Sequence, residues 1–199
     1  MLDVFIAALF FAFSSTITPG PNNLMMLSSG LNYGIRASLP HLFGICLGFP
    51  TMVLLVGLGF DVIFAQLPWL HTMVKLVGIG YLLYLAWAIA TTSPRQLAGP
   101  ERRPMTFWQA AAFQWVNGKA WIMASGAIAA FSQQQAMLNS VLAVSGAFLL
   151  VAFPCVGLWL SCGALLQQRL SSAQAQISFN RGMGALLALS VLPVVLEMV

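Results

Sequence analysis

The chain has 199 residues, 60% of them hydrophobic and 6% charged, and carries a net charge of +4 at neutral pH. That apolar share, with a mean hydropathy of +0.90, excludes an ordinary soluble domain and marks an integral membrane protein. The positive charge forms no basic stripe with interleaved aromatics, so a nucleic-acid partner has no support and the lipid bilayer is the expected partner of most of the surface.

A membrane-spanning helix takes about 20 apolar residues. Six such runs follow one another: Leu2–Leu31, Leu39–Phe60, Leu70–Thr91, Phe107–Phe131, Leu138–Leu166 and Gly182–Val199. The expected fold is therefore all-α, a polytopic membrane protein with six transmembrane helices in a single domain over residues 1–199. The first run has no basic leader and no small-residue cleavage site, which predicts a retained span rather than a signal peptide. Arg36 falls between spans one and two, Arg95, Arg102 and Arg103 between three and four, and Arg169 and Arg181 between five and six. Alternate loops that hold the basic residues are expected in the cytoplasm, so both termini face outward.

Span one is interrupted by Thr18-Pro19-Gly20-Pro21-Asn22-Asn23. Each proline lacks an N–H and its ring crowds the carbonyl four residues back, so the helix cannot continue and Ser15 and Ile17 lose their usual partners. Broken helix at membrane depth is tolerated only where protein or a wet cavity surrounds it, and transporters bind cargo at such breaks. New amide donors at Asn22 and Asn23 would begin a second half-helix and present the positive end of its dipole.

Span two carries Gly44 and Gly48, four residues apart, a spacing that lets helix backbones approach within one chain or between protomers. Span three holds Lys75 near its outer end, where snorkelling is the default. Span four carries Asn117-Gly118-Lys119, and Lys119 lies twelve residues past Phe107, about 18 Å of helical rise. A charge at that depth is a functional-site hypothesis by default; the bland alternative starts the span later and lets Lys119 reach headgroups. Straight-helix counting leaves the breaks of spans one and four about 5 to 10 Å apart in depth.

Three spans, a linker over 92–106, then three more spans predict a 3+3 inverted repeat with half-repeats 1–91 and 107–199 and a broken first helix. Phe49-Pro50 in span two and Phe153-Pro154 in span five echo each other. The residues at the two breaks suit a zwitterion: Lys119 and the new amides for a carboxylate, the freed carbonyls of Ser15 and Ile17 with the Asn22 and Asn117 side-chain oxygens for an ammonium. Catalytic readings fare worse. Ser125-Gly126 lacks the first glycine of a nucleophile elbow, and His41 and His71 read as structural. No enzyme, metal site or cofactor is expected, and Cys46, Cys155 and Cys162 read as small buried hydrophobes.

These residues resemble the lysine-exporter superfamily of bacterial amino-acid permeases (LysE-type translocators) in its homoserine/threonine-exporter branch, most closely the cysteine/O-acetylserine exporters. The resemblance rests on Thr18 to Pro21, on Gly44 and Gly48, on Gly80-Tyr81-Leu82-Leu83-Tyr84-Leu85-Ala86-Trp87, and on Phe113 with Asn117-Gly118-Lys119. Asn22-Asn23, Phe107-Trp108 and the run Gln114 to Lys119 add to it. It implies a multi-pass protein of the bacterial inner membrane with periplasmic termini, exporting small neutral amino acids or their metabolites and driven by the proton gradient.

On this reading of the two breaks Asn22, Asn23, Asn117 and Lys119 would contact cargo, while Thr18, Pro19, Gly20 and Pro21 shape the broken backbone. Many relatives have aspartate where this chain has Asn22, which removes the obvious proton carrier, and Asn-Pro-Lys where it has Asn117-Gly118-Lys119. A membrane thiol-redox protein and a structural membrane subunit are the rival readings, and monomer versus homodimer stays open.

Overall fold

The structure, a computed structural model, describes residues 2–60, 66, 68–92, 103–133, 136–170 and 172–196. Arg95, Glu101 and Arg102 of the linker, with Asp61 and Glu197, lie outside the described residues. All regular structure among the described residues is helical: α1 (Leu2–Ile17), α2 (Pro21–Leu55), α3 (Pro68–Ala90), α4 (Phe107–Phe113), α5 (Gly118–Phe131), α6 (Met137–Arg169), α7 (Ala173–Leu189) and the short α8 (Leu192–Leu196). A π turn over Val56–Phe60 extends α2, and a 3-10 turn over Gln114–Val116 separates α4 from α5.

The helix α2 is two passes joined at a corner. Gly34 sits at φ 79°, ψ 174°, a left-handed conformation that glycine adopts without Cβ strain, and it divides α2 into the stretches 21–33 and 35–55. The polar loop expected after Leu31 is therefore a sharp turn with Arg36 exposed just beyond it.

By length and composition, Pro21–Gly59, Thr72–Ala90 and Met137–Arg169 are each able to cross a membrane. The first and fourth expected spans fall short of that standard because each is broken in two. The sixth expected span is displaced. Helix α7 starts at Ala173 rather than Gly182, because its polar first half is satisfied by protein: Gln176 donates to the Leu170 carbonyl at 2.9 Å, and Asn180 and Asn32 exchange amide bonds at 2.9 and 3.0 Å. Hydropathy alone cannot see polar groups that are paired inside the bundle. With these adjustments the chain is an all-α polytopic membrane protein, and many of its large exposed side chains, among them Phe10, Leu76, Trp108, Leu150 and Leu165, are apolar as lipid contact requires.

Close backbone approach holds the bundle together. A Cβ placed on Gly30 would strike the Leu160 carbonyl oxygen, and one placed on Gly163 would strike that of Leu27, so stretch 21–33 and α6 touch backbone to backbone. Gly44 and Gly48 do the same for stretch 35–55 against Phe107, Ala110 and Ala111 of α4. Helix α1 lies along α6, and α3 along α7. Thr106 and Gln109 form a reciprocal capping box that fixes where α4 begins, and hence how far along the fourth pass its break falls.

Candidate functional site

The breaks of the first and fourth passes meet. From the Gly34 corner back to Pro21 is thirteen helical residues, about 20 Å of rise, while the fourth pass reaches its break through the seven residues of α4 and one 3-10 turn. It is the Lys119 side chain, reaching Thr18 and Pro19, that brings the two breaks together.

Lys119 closes the junction. Its ammonium donates to the Thr18 carbonyl at 3.0 Å, the Thr18 hydroxyl at 2.8 Å and the Pro19 carbonyl at 3.2 Å. All three acceptors are neutral, so the charge has no counter-ion among these contacts. Gly20 is extended, at φ −178°, a conformation open to any residue. It is needed for space: a Cβ there would lie 2.7 Å from Lys119 Cδ and 3.0 Å from Nζ.

The carbonyls freed by the two prolines all find donors, which corrects the expectation that Ser15 and Ile17 offer theirs to a ligand. The Ser15 carbonyl accepts from the Thr18 hydroxyl at 2.8 Å, and that of Ile17 from the Trp159 indole at 3.1 Å. Asn23 donates to the carbonyls of Thr16 and Thr18 at 2.7 and 2.8 Å, bracing the break from inside. Asn22 exchanges amide hydrogen bonds with Gln114 at 2.8 and 3.1 Å, which ties the start of α2 to the 3-10 turn of the fourth pass. That second break is braced in the same manner, the Trp121 indole donating to the Trp115 carbonyl at 2.8 Å.

Between the breaks lies a cavity of about 30 Å³, room for a water or two. Its polar lining comes from Ser15, Thr16, Asn22, Asn23, Asn117 and Lys119, with Gly20 in its wall; Ile45, Phe49, Met123, Ala152 and Val156 form the apolar side. Two buried polar atoms on this lining have no hydrogen-bond partner, Asn117 Oδ1 and Thr16 Oγ1. A cation, an unpaired amide oxygen and an unpaired hydroxyl thus converge in an otherwise apolar bundle. Thr16, Gln114 and Trp159 complete this arrangement. Sequence reasoning had left Thr16 out, kept Gln114 only within a motif, and placed Trp159 among packing residues. Among the described residues no group of three or more His, Cys, Asp or Glu gathers to hold a metal.

An all-α chain of apolar passes, two of them broken against each other around a polar pocket, has the build of a polytopic membrane transporter. Residues 13–198 match the family described as LysE type translocator, and the chain belongs to that family. It is 35% identical over 142 residues to the cysteine/O-acetylserine efflux protein of Escherichia coli (strain K12), a match covering 67% of this chain and 72% of that one. The proteins of the same description from Escherichia coli O1:K1 / APEC and Shigella flexneri serotype 5b (strain 8401) match with the same identity and coverage. No solved structure matches significantly.

Proposed function

We propose that the chain is a secondary-active exporter of small neutral amino acids or their metabolites, whose cargo halts at the junction of the two broken passes. One observation carries the reading: the Lys119 ammonium, held only by neutral oxygens of Thr18 and Pro19, stands on the same cavity as the unpartnered Asn117 Oδ1 and Thr16 Oγ1. A cargo carboxylate would take Lys119 as its counter-ion, and a cargo ammonium would donate to Asn117 Oδ1. Asn22 and Asn23 line the pocket and hold its shape. At about 30 Å³ the cavity is contracted, so loading requires the α1–α2 and α4–α5 breaks to part. Residues that exchange partners, Lys119 leaving the Thr18 carbonyl for a carboxylate, fit such a step.

The proton gradient is the proposed driving force, and among the described residues that line the cavity Lys119 is the one with a charge. The arginine-bearing end is proposed to face the cytoplasm of a bacterial inner membrane, with both termini periplasmic. The half-repeats 1–91 and 107–199 find support in reciprocal packing: the first helix of the first half lies on α6, the first helix of the second half lies on stretch 35–55, and α3 pairs with α7. The cysteines are free, Cys46 and Cys155 buried, and nothing favours the redox reading.

Accumulation of labelled O-acetyl-L-serine and L-cysteine in everted vesicles, with and without an uncoupler, tests the proposal. Uncoupler-sensitive accumulation that depends on the protein is expected. Wild-type vesicles that accumulate no amino acid from a broad panel would overturn it.

A further inference from the structure

The bundle holds a second and larger cavity, of about 410 Å³, toward the arginine-bearing end. That volume lies in the ordinary range for small-molecule sites, whereas the junction cavity does not. The two are neighbours along one helix face. Asn22 lines the first, Met25 and Ser29 line the second, and residues spaced by three and four share a face. Seven residues of helix separate Asn22 from Ser29, about 10 Å.

His41 lines the second cavity and is 1% exposed. Its Nδ1 lies 2.9 Å from the Ser29 hydroxyl, and its Nε2 has no hydrogen-bond partner. When the Ser29 hydroxyl donates its hydrogen bond to Nδ1, the neutral ring carries its hydrogen on Nε2, and that N–H is the unanswered donor. The exposed Arg103 guanidinium lines the same cavity and brings further donors, with no acceptor among the described residues. On the opposite side of the ligand chemistry, the Thr92 hydroxyl donates to the Ala88 carbonyl at 2.8 Å, which leaves its lone pairs free to accept from an ammonium.

From this geometry we infer that the second cavity is a binding site for the carboxylate end of an α-amino acid, where cargo docks on Arg103 and His41 before moving about 10 Å along α2 to the junction. The inference rests on the exporter reading for the identity of the cargo. It assigns the two donors a task distinct from that of Lys119, capture rather than passage.

Two measurements decide it, with O-acetyl-L-serine as probe. In everted vesicles, Arg103→Gln and the ring-conserving His41→Phe should each raise the apparent KM about five- to tenfold with Vmax unchanged or raised, because the contact they remove is given up before cargo reaches the junction. Arg103 is exposed, so its variant does not threaten folding. In nanodiscs, Ala88→Cys, placed on the cavity wall in a chain whose three native cysteines are serine, should react with a polar maleimide and be protected by O-acetyl-L-serine. Unchanged KM in both variants, or labelling indifferent to the probe as when a lipid tail fills the cavity, overturns the second site. Protection at Ala88→Cys in a protein that accumulates nothing upholds the site and sinks the exporter reading instead.

Discussion

Lys119 and Thr18, 101 residues apart in sequence, are joined twice, the ammonium donating to the Thr18 carbonyl at 3.0 Å and to its hydroxyl at 2.8 Å. A single side chain thereby answers the backbone defect of one pass from the defect of another. The same nitrogen has only neutral acceptors, which makes it both the clamp of the closed junction and the natural seat for an anion. Lys119→Met keeps the length of the stem and removes the charge. Transport of O-acetyl-L-serine should fall by about tenfold or more, the worth of a charge-assisted hydrogen bond, while the amount of protein in the membrane stays at the wild-type level. Initial rates normalised to immunodetected protein check this.

Gly20 offers a test that leaves the charge in place. An alanine Cβ would stand 2.7 Å from Lys119 Cδ, and the extended backbone there accepts any residue, so Gly20→Ala should move the lysine without breaking the turn. Transport is expected to drop several-fold with thermal stability close to wild type. A larger fall in stability than in transport would place the role of Gly20 in the fold rather than in seating Lys119.

Much of this junction was legible in the chain because its two signals are local. A proline pair forbids helix wherever it occurs, and a lysine twelve residues into an apolar run is costly whatever surrounds it. What answers the broken backbone was not legible. Trp159 reaches the Ile17 carbonyl across 142 residues and Gln114 reaches Asn22 across 92, and which face of α6 or of the 3-10 turn meets the break is set by packing. Thr16 carries no signal at all until its hydroxyl is seen buried and unpaired. The start of α7 was missed for the converse reason, since Gln176 and Asn180 look like loop until their partners are known.

The Asn22–Gln114 pair makes a different prediction from Lys119, because it is a brace. Gln114 is fully buried, and Asn22→Leu would strip two of its hydrogen bonds while leaving its amide without water. A loss of about 1–3 kcal/mol in stability is expected. Gln114→Leu alone should cost a similar amount, and the double variant less than the sum, since two apolar groups facing each other leave no orphan. Thermal unfolding in detergent, followed for all four proteins of the cycle, measures the coupling.

The glycines separate contact from composition. At Gly30 an added Cβ would collide with the Leu160 carbonyl and lie 2.9 Å from the Ala164 nitrogen, backbone atoms that α6 cannot withdraw without moving as a whole. Gly30→Ala should therefore destabilise the bundle by about 1–3 kcal/mol or more, and because α6 also carries Trp159, transport should fall with it. Gly80 sits inside α3 with nothing within 4 Å of its would-be Cβ. There alanine meets open space and improves the helix, so Gly80→Ala should be neutral or raise stability by about 0.5–1 kcal/mol. Melting temperatures of the two variants in one detergent should move in opposite directions or differ by several degrees. Equal shifts would mean that the approach of stretch 21–33 to α6 is looser than the structure has it, and with it the seat of the broken first pass.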